Sequence, residues 1–178
     1  TRLLGRKPVV VGPGAVTGLN MRVTLEYQVG ADIIADAVGA LEKFQPPIIV
    51  IDMGTATTIN VISKSGVYEG GLFLPGIDVA LESMSHRAAL LPDISLRPPK
   101  GLIGKDSEEC MLSGIVYGNA AMLDGLIERI REMFQGDEVS VVATGRNAPL
   151  IVRYCRHLSA HDPNLLMEGL WHIYQRNR

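Results

Sequence analysis

At 178 residues, with 47% hydrophobic and 20% charged side chains, the chain is long enough to bury a core without covalent staples and too apolar to be disordered. A formal net charge of -2 gives no electrostatic reason to expect a nucleic-acid or anionic-membrane partner. Cys110 and Cys155 fall in helical patterns without metal-ligand spacing, and no apolar run approaches the ~18 to 20 residues of a bilayer span, so a soluble protein of a reducing cytoplasm is expected.

The chain begins at Thr1 without methionine and enters a predicted strand at residues 8–11, which reads as an internal beginning. Gly12-Pro13-Gly14 and Thr17-Gly18 follow. Such a loop either brings main-chain N–H groups against a small ligand or is a tight connection that needs positive φ. Alternation of Val23, Leu25 and Tyr27 predicts a strand over residues 21–27. From Gly30 the period changes: Ile33, Ala37, Ala40 and Phe44, with Ile34, Val38 and Leu41 beside them, predict an amphipathic helix ended by Pro46-Pro47. Asp32 in its first turn either complements the helix dipole or serves as a general base at a cleft.

Residues 48–51 and 59–62 are two β-branched runs joined by Asp52-Met53-Gly54-Thr55-Ala56-Thr57-Thr58. An aspartate at a strand end, a glycine that lets backbone amides approach, and several hydroxyls suit a cation together with phosphate oxygens. A polar hairpin that solvates its own turn satisfies the same residues. A turn at 64–66 leads to two short strands, 67–69 closed by Gly70-Gly71 and then 72–74. A helix carrying Ile77, Leu81, Met84, Ala88 and Leu91 follows and ends at Pro92.

Residues 93–105 read as a linker. Asp106 or Ser107 then caps a helix reaching nearly to Gly136, about 40 Å at ~1.5 Å per residue. Gly114, Gly118 and Gly125 cost about 0.8–1.0 kcal/mol each against alanine in a solvated helix, which predicts that part of it packs in an interface, such as one between subunits. Residues 139–143 form a predicted buried strand, followed by Thr144-Gly145-Arg146-Asn147, a helix over 148–158, a turn at 159–164, and a closing helix with Leu166, Leu170, Ile173 and Tyr174 on its apolar side. Gly104-Lys105-Asp106 is no P-loop, because the hydroxyl and the preceding strand are both lacking; a serine-hydrolase elbow and a zinc motif are absent from the sequence too.

The order of these motifs is informative beyond any one of them. Gly12-Pro13-Gly14-Ala15-Val16-Thr17-Gly18, Gly30-Ala31-Asp32, Asp52-Met53-Gly54-Thr55-Ala56-Thr57-Thr58, Gly104-Lys105-Asp106-Ser107 and Ala143-Thr144-Gly145 together resemble the type III pantothenate kinases. These belong to the superfamily of acetate and sugar kinases, Hsp70 and actin. The resemblance implies an α/β fold: a ribonuclease H-like (actin-like ATPase) lobe with a mixed sheet flanked by helices. Residues 1–27 would be the tail end of an incomplete first lobe, and residues 28–178 the second lobe with a dimerisation helix. The implied reaction is transfer of the ATP γ-phosphoryl group to the hydroxyl of pantothenate, the first step of coenzyme A synthesis. It takes place in a cytoplasmic homodimer, with Mg²⁺ and a monovalent cation, K⁺ or NH₄⁺.

Carried over residue by residue, the resemblance makes Asp32 the base. Gly30, Ala31 and Ile33 become substrate contacts with it, joined by Tyr27, Ser107 and the loop residues Gly12, Gly14 and Thr17. Asp52 would hold the monovalent cation. Gly54, Thr55, Thr58, Thr144 and Gly145 would line the ATP site. Four departures stand beside these matches. The family's opening strand and Asp-x-Gly-Asn-Thr loop have no counterpart; Ile33 stands where arginine is usual; the stretch between Tyr27 and Gly30 is short; and Arg146 replaces the second glycine of Thr-Gly-Gly. A fragment of an ordinary kinase and a catalytically degenerate homologue with a binding or regulatory role both accommodate them. A sugar or acetate kinase shares the hairpin logic but leaves Gly12-Pro13-Gly14 with Gly30-Ala31-Asp32 unexplained.

Overall fold

The two β-branched runs form the centre of a mixed sheet because both of its faces are covered. In the computed structural model, which describes Gly5 and residues 8–158 and 160–178, β2 (Ile48–Met53) and β3 (Ala56–Ile62) make an antiparallel hairpin. Successive β2 side chains alternate between two cores, as the pleat requires. Ile49, Ile51 and Met53 face one core, Ile48 and Val50 the other. The six strands run in the order β1-β4-β3-β2-β5-β6, with β1 (Asn20–Met21), β4 (Val67–Pro75), β5 (Ser140–Thr144) and β6 (Ala160–His161). β5 pairs parallel with β2, and β4 antiparallel with β3. The expected α/β lobe with a mixed sheet between helices is therefore present.

On one face lie α1 (Ala31–Lys43) and α5 (Leu165–Arg176), on the other α2 (Ile77–Arg87), α3 (Ser107–Glu132) and the short α4 (Ala148–Ile151). Close approach of α1 to α5 depends on two glycines. A Cβ on Gly39 would overlap the Leu165 carbonyl, and one on Gly169 would overlap the Ala35 carbonyl. Asp106 caps α3 by accepting the Glu109 N–H at 2.8 Å. By length and composition alone α3 could cross a bilayer, but Met111, Leu112, Ile115, Leu123 and Ile127 on it are buried in the protein core.

Several expected elements differ. Residues 8–11 form no strand: the chain there runs into turns, with Gly14 at φ +91° and Gly18 at φ +77°. The strand expected over 21–27 shrinks to β1, because pairing with β4 ends at the Arg22 N–H to Tyr68 carbonyl bond, and Glu26–Gln28 turns as a 3₁₀ helix. Alternation without a partner edge makes no strand. β4, by contrast, runs unbroken through Gly70 and Gly71. Gly70, at φ +115°, sits at the register shift opposite Val61 and Ile62, so the glycine marks a bulge and not an end. α2 stops at Arg87, short of Pro92.

The helix expected over 148–158 is only α4 and a 3₁₀ turn at Val152–Tyr154. Asp124 accepts the N–H groups of Arg156 and His157 at 2.9 Å and draws the chain out of the helix. The expected turn at 159–164 contains β6; Ser159 lies outside the described residues, as do residues 1–4, 6 and 7 of the expected first-lobe tail.

The glycines differ sharply in what surrounds them. Gly169→Ala should lower the unfolding free energy by about 1–3 kcal/mol, because backbone must move to admit the methyl. Gly125→Ala, facing open space on α3, should be neutral or gain up to about 1 kcal/mol from helix propensity. Urea unfolding of both variants checks the contrast, and equal losses would contradict it.

Candidate functional site

The hairpin turn between β2 and β3 is only Gly54 and Thr55, and neighbouring loops close on it. Asp52, one residue before the strand end, is opposite Thr58 on β3 and Thr144 on β5. Register therefore puts a carboxylate and two hydroxyls in one row on the face covered by α1. The Thr58 hydroxyl accepts from Asn60 Nδ2 at 2.9 Å, and Tyr68 donates to Asn60 Oδ1 at 3.1 Å. This chain satisfies buried polar groups beneath the row. Thr55 is exposed at the turn itself.

α1 brings two more carboxylates toward the same place. Gly30 is its N-cap, and Asp32 Oδ1 accepts the Ile33 N–H at 2.9 Å. One turn later Asp36 is 2% exposed, and its Oδ1 has no hydrogen-bond partner. Burial, reinforced by the charges of Asp52 and Asp32, pushes Asp36 up to about 7. Burial and then the charge of Asp32 raise Asp52 as well. Asp36, Asp52, Thr144, Gly145 and His161 line a cavity of about 340 Å³. His161 Nε2, also buried, has no partner.

A second cavity of about 560 Å³ collects Gly12, Gly14, Thr17 and Tyr27, with Val29 and Ile34 in its wall. These last two flank the segment Gly30, Ala31, Asp32 and Ile33. Ile33 itself is buried in the core shared with α5. Ser107 is in neither cavity: it lines a separate one of about 450 Å³ with Lys105, Cys110 and Met111. Arg146 reaches neither Asp52 nor Asp36 in a salt bridge, because its guanidinium pairs with Asp78 of α2 at 2.6 Å. Asn147 Nδ2 also donates to Asp78 at 2.8 Å, and these two donors, Asn147 first, hold the Asp78 carboxyl below its usual range. The pair crosses a cleft of about 600 Å³ between α2 and the loop at residues 93–96.

Sequence reasoning passed over Asp36, His161 and Asp78. The signal for Asp36 was present: it interrupts the apolar stripe of α1 between Ile33 and Ala37 and Ala40, where an acid has no solvent to face. Among the described residues no three acidic, histidine or cysteine side chains converge closely enough to hold a metal by themselves. One buried and one half-buried carboxylate, Asp36 and Asp52, with hydroxyl and main-chain oxygens suit a loosely ligated monovalent cation, or a Mg²⁺ held mainly by phosphates.

The family model described as type III pantothenate kinase matches residues 1–129. A type III pantothenate kinase of Nocardia farcinica is 42% identical over 173 residues, covering 96% of this chain and 65% of the relative. One from Rhodococcus jostii is 38% identical over all of this chain and 67% of its own length, and one from Moorella thermoacetica 42% identical over 99% and 69%. The chain thus spans about two thirds of the length of these relatives. Among solved structures, a Campylobacter jejuni protein assigned to the Baf family of transcriptional activators superposes with a TM-score of 0.59 at 20% identity, over 90% of this chain and 70% of its own. The activator of the 2-hydroxyisocaproyl-CoA dehydratase from Clostridium difficile, solved with ADPNP, gives 0.51 at 15% identity over 82% and 67%. At such identities these two bear on the fold alone.

The raised Asp36 carboxyl has a calculable sign. It holds its proton in the folded state after the unfolded chain has released it, so stability falls as pH rises from about 4 to about 7. Asp36→Asn removes this slope. In buffers of tetramethylammonium salts, the variant should match the parent near pH 4 and exceed it at pH 8 by about 2–4 kcal/mol, because each tenfold change in proton affinity is worth ~1.4 kcal/mol. Urea unfolding across that range measures it, and a constant difference between the two proteins would contradict it.

Proposed function

Because this chain belongs to the type III pantothenate kinase family, we propose that it serves ATP-dependent phosphorylation of pantothenate to 4'-phosphopantothenate, as the second lobe of a two-lobed cytoplasmic enzyme. The observation that carries the reading is the meeting of Asp32 and Asp52. A carboxylate at the start of α1 lies near enough to one at the end of the central strand for its charge to add to burial in raising Asp52, with Thr58 and Thr144 flanking that second carboxylate. Phosphoryl transfer asks little covalent work of a protein and much positioning and charge control, which such a row of groups supplies.

Asp32 accepts the proton of the pantothenate hydroxyl. Tyr27, 69% exposed at the mouth of its cavity, holds the substrate with Gly12, Gly14 and Thr17, while Val29 and Ile34 form the wall at either end of the segment that carries Gly30, Ala31 and Asp32; Ile33, turned into the core, is not part of that wall. ATP with Mg²⁺ supplies the phosphoryl group. Gly54 and Thr55 offer the exposed hairpin turn to its phosphates, Thr58 braces that turn from below, and Thr144 with Gly145 borders the nucleoside. Asp52 holds the monovalent cation, K⁺ or NH₄⁺. The guanidinium of Arg146, which stands where the family has a second glycine, is committed to Asp78 of α2, while the residue remains in the wall of the cavity that Thr144 and Gly145 line. Residues 28–178 act as this lobe and residues 1–27 as the tail of the first, whose end, β1 (Asn20–Met21), joins this lobe's sheet beside β4. In the homodimer α3 packs against its counterpart through the face bearing Gly114 and Gly118, and its first turn brings Ser107 to the neighbouring subunit's pantothenate.

The test is turnover of pantothenate by the purified chain with ATP, Mg²⁺ and K⁺. 4'-Phosphopantothenate should form, and Asp32→Asn should lower kcat by about 10²–10⁴-fold with little change in pantothenate KM. A folded protein that binds neither ATP nor pantothenate by calorimetry would overturn the reading. Gly118→Leu should shift the sedimentation profile toward monomer, whereas an unchanged profile would argue against the placement of α3.

A further inference from the structure

We propose that Asp36 is a second carboxylate ligand of a monovalent cation, which it shares with Asp52 in the cavity beneath Thr144 and Gly145. The proposal rests on the reading that Asp52 holds such a cation, and it adds a residue that neither the motif resemblance nor the family's name assigns. Asp36 is 2% exposed, lines the cavity and leaves Oδ1 without a hydrogen-bond partner. A buried carboxylate oxygen with no donor is costly unless the group takes up a proton or something cationic meets it, and a cation is the one of the two that leaves the carboxylate charged above neutral pH. The charges that act on Asp36 are those of Asp52 and Asp32, both of the same sign. Arg146, the cationic side chain in the cavity wall, is paired with Asp78. His161 adds a second buried atom, Nε2, that lacks a partner in the same cavity.

Size and chemistry favour a monovalent occupant. A cavity of about 340 Å³ exceeds the ~30 Å³ share of one water and admits a cation with part of its hydration. The lining offers hard oxygen donors, two carboxylates and the Thr144 hydroxyl; His161 shares the cavity but, among the described residues, does not converge with Asp36 and Asp52 into the compact three-ligand set of a divalent site. The consequence reaches the reacting end of the lobe. Asp32 and Asp36 are four residues apart on one face of α1, so a cation tying Asp36 to Asp52 fixes the first turns of that helix against the sheet and holds Asp32 in place.

The test needs neither ATP nor pantothenate. Thermal unfolding of the full chain in KCl is compared with tetramethylammonium chloride at equal ionic strength. K⁺ should raise Tm in the parent and in Glu26→Gln, which alters the other cavity, and that rise should be lost in Asp36→Asn. Crystals soaked in thallium(I), which substitutes for K⁺, should give an anomalous peak in contact with both Asp36 and Asp52, a readout that stands even where the variant fails to fold. An undiminished K⁺ shift in Asp36→Asn, or a peak touching Asp52 alone, would overturn the role of Asp36. Absence of any K⁺ shift and any peak in the parent would overturn the cation at Asp52 as well. The kinase reading is decided separately, by product formation.

Discussion

Everything in the candidate site depends on how tightly backbone closes around the β2–β3 turn. Gly145, at φ +90°, lies directly against Asp52 and Met53: an added Cβ would overlap the Asp52 carboxylate and come within 2.7 Å of the Met53 backbone. Gly76, the N-cap of α2, sits on the other side, where a Cβ would overlap the Thr55 carbonyl and lie 2.9 Å from that of Gly54. The Asn147 N–H also donates to the Met53 carbonyl at 3.3 Å. Main chain from two separate loops, residues 145–147 and Gly76, thus meets on four residues. Asp52 is positioned by backbone contact, which cannot relax by choosing another rotamer.

That rigidity makes the electrostatics possible. Three carboxylates would move apart if their supports allowed it, yet α1 is held on the sheet by Ile33, Ile34, Ala37 and Val38, and against α5 by the Gly39 and Gly169 contacts. Apolar burial of the helix therefore offsets the repulsion between its acids and Asp52. Asp32 gains something from its place in the first turn, where the helix dipole favours negative charge. Asp36, one turn deeper, gains less and is the more buried, which is why the strain appears on Asp36 as an upward displacement.

The central hairpin, α1, α3 and α5 were legible because each rests on a local signal that tertiary structure did not overrule: β-branched runs covered on both faces, or apolar residues at helical spacing. What could not be read depended on distant partners. β1 stops where β4 stops offering an edge, and α4 stops because of Asp124, 32 residues before Arg156. Arg146 is committed by Asp78, 68 residues earlier in the chain, so no inspection of Thr144-Gly145-Arg146 could say where its guanidinium points. The motif strings located Asp32 and Asp52, while the polar residue that lacks any motif, Asp36, was visible only as an acid out of place on an apolar stripe.

The segment with the most linker-like composition is where composition misleads most, and the reason bears on Ser107. Residues 93–105 hold no regular structure, yet they are fastened to α3 along their length. Arg97 bridges Glu108 at 2.6 Å and Glu109 at 2.8 Å, and Glu109 also accepts the Lys100 N–H at 2.8 Å. That N–H first, and then Arg97, hold the Glu109 carboxyl below its usual range. Ser113 donates to the Leu102 carbonyl, and Gly104 packs so closely that a Cβ would overlap the Cys110 backbone. A strand of irregular chain bound this way is a strap. It fixes the first turn of α3, and Ser107 with it, and it leaves Leu102 and Ile103 on the surface at 61% and 72% exposure. The placement of Ser107 is therefore a property of the strap as much as of the helix it begins.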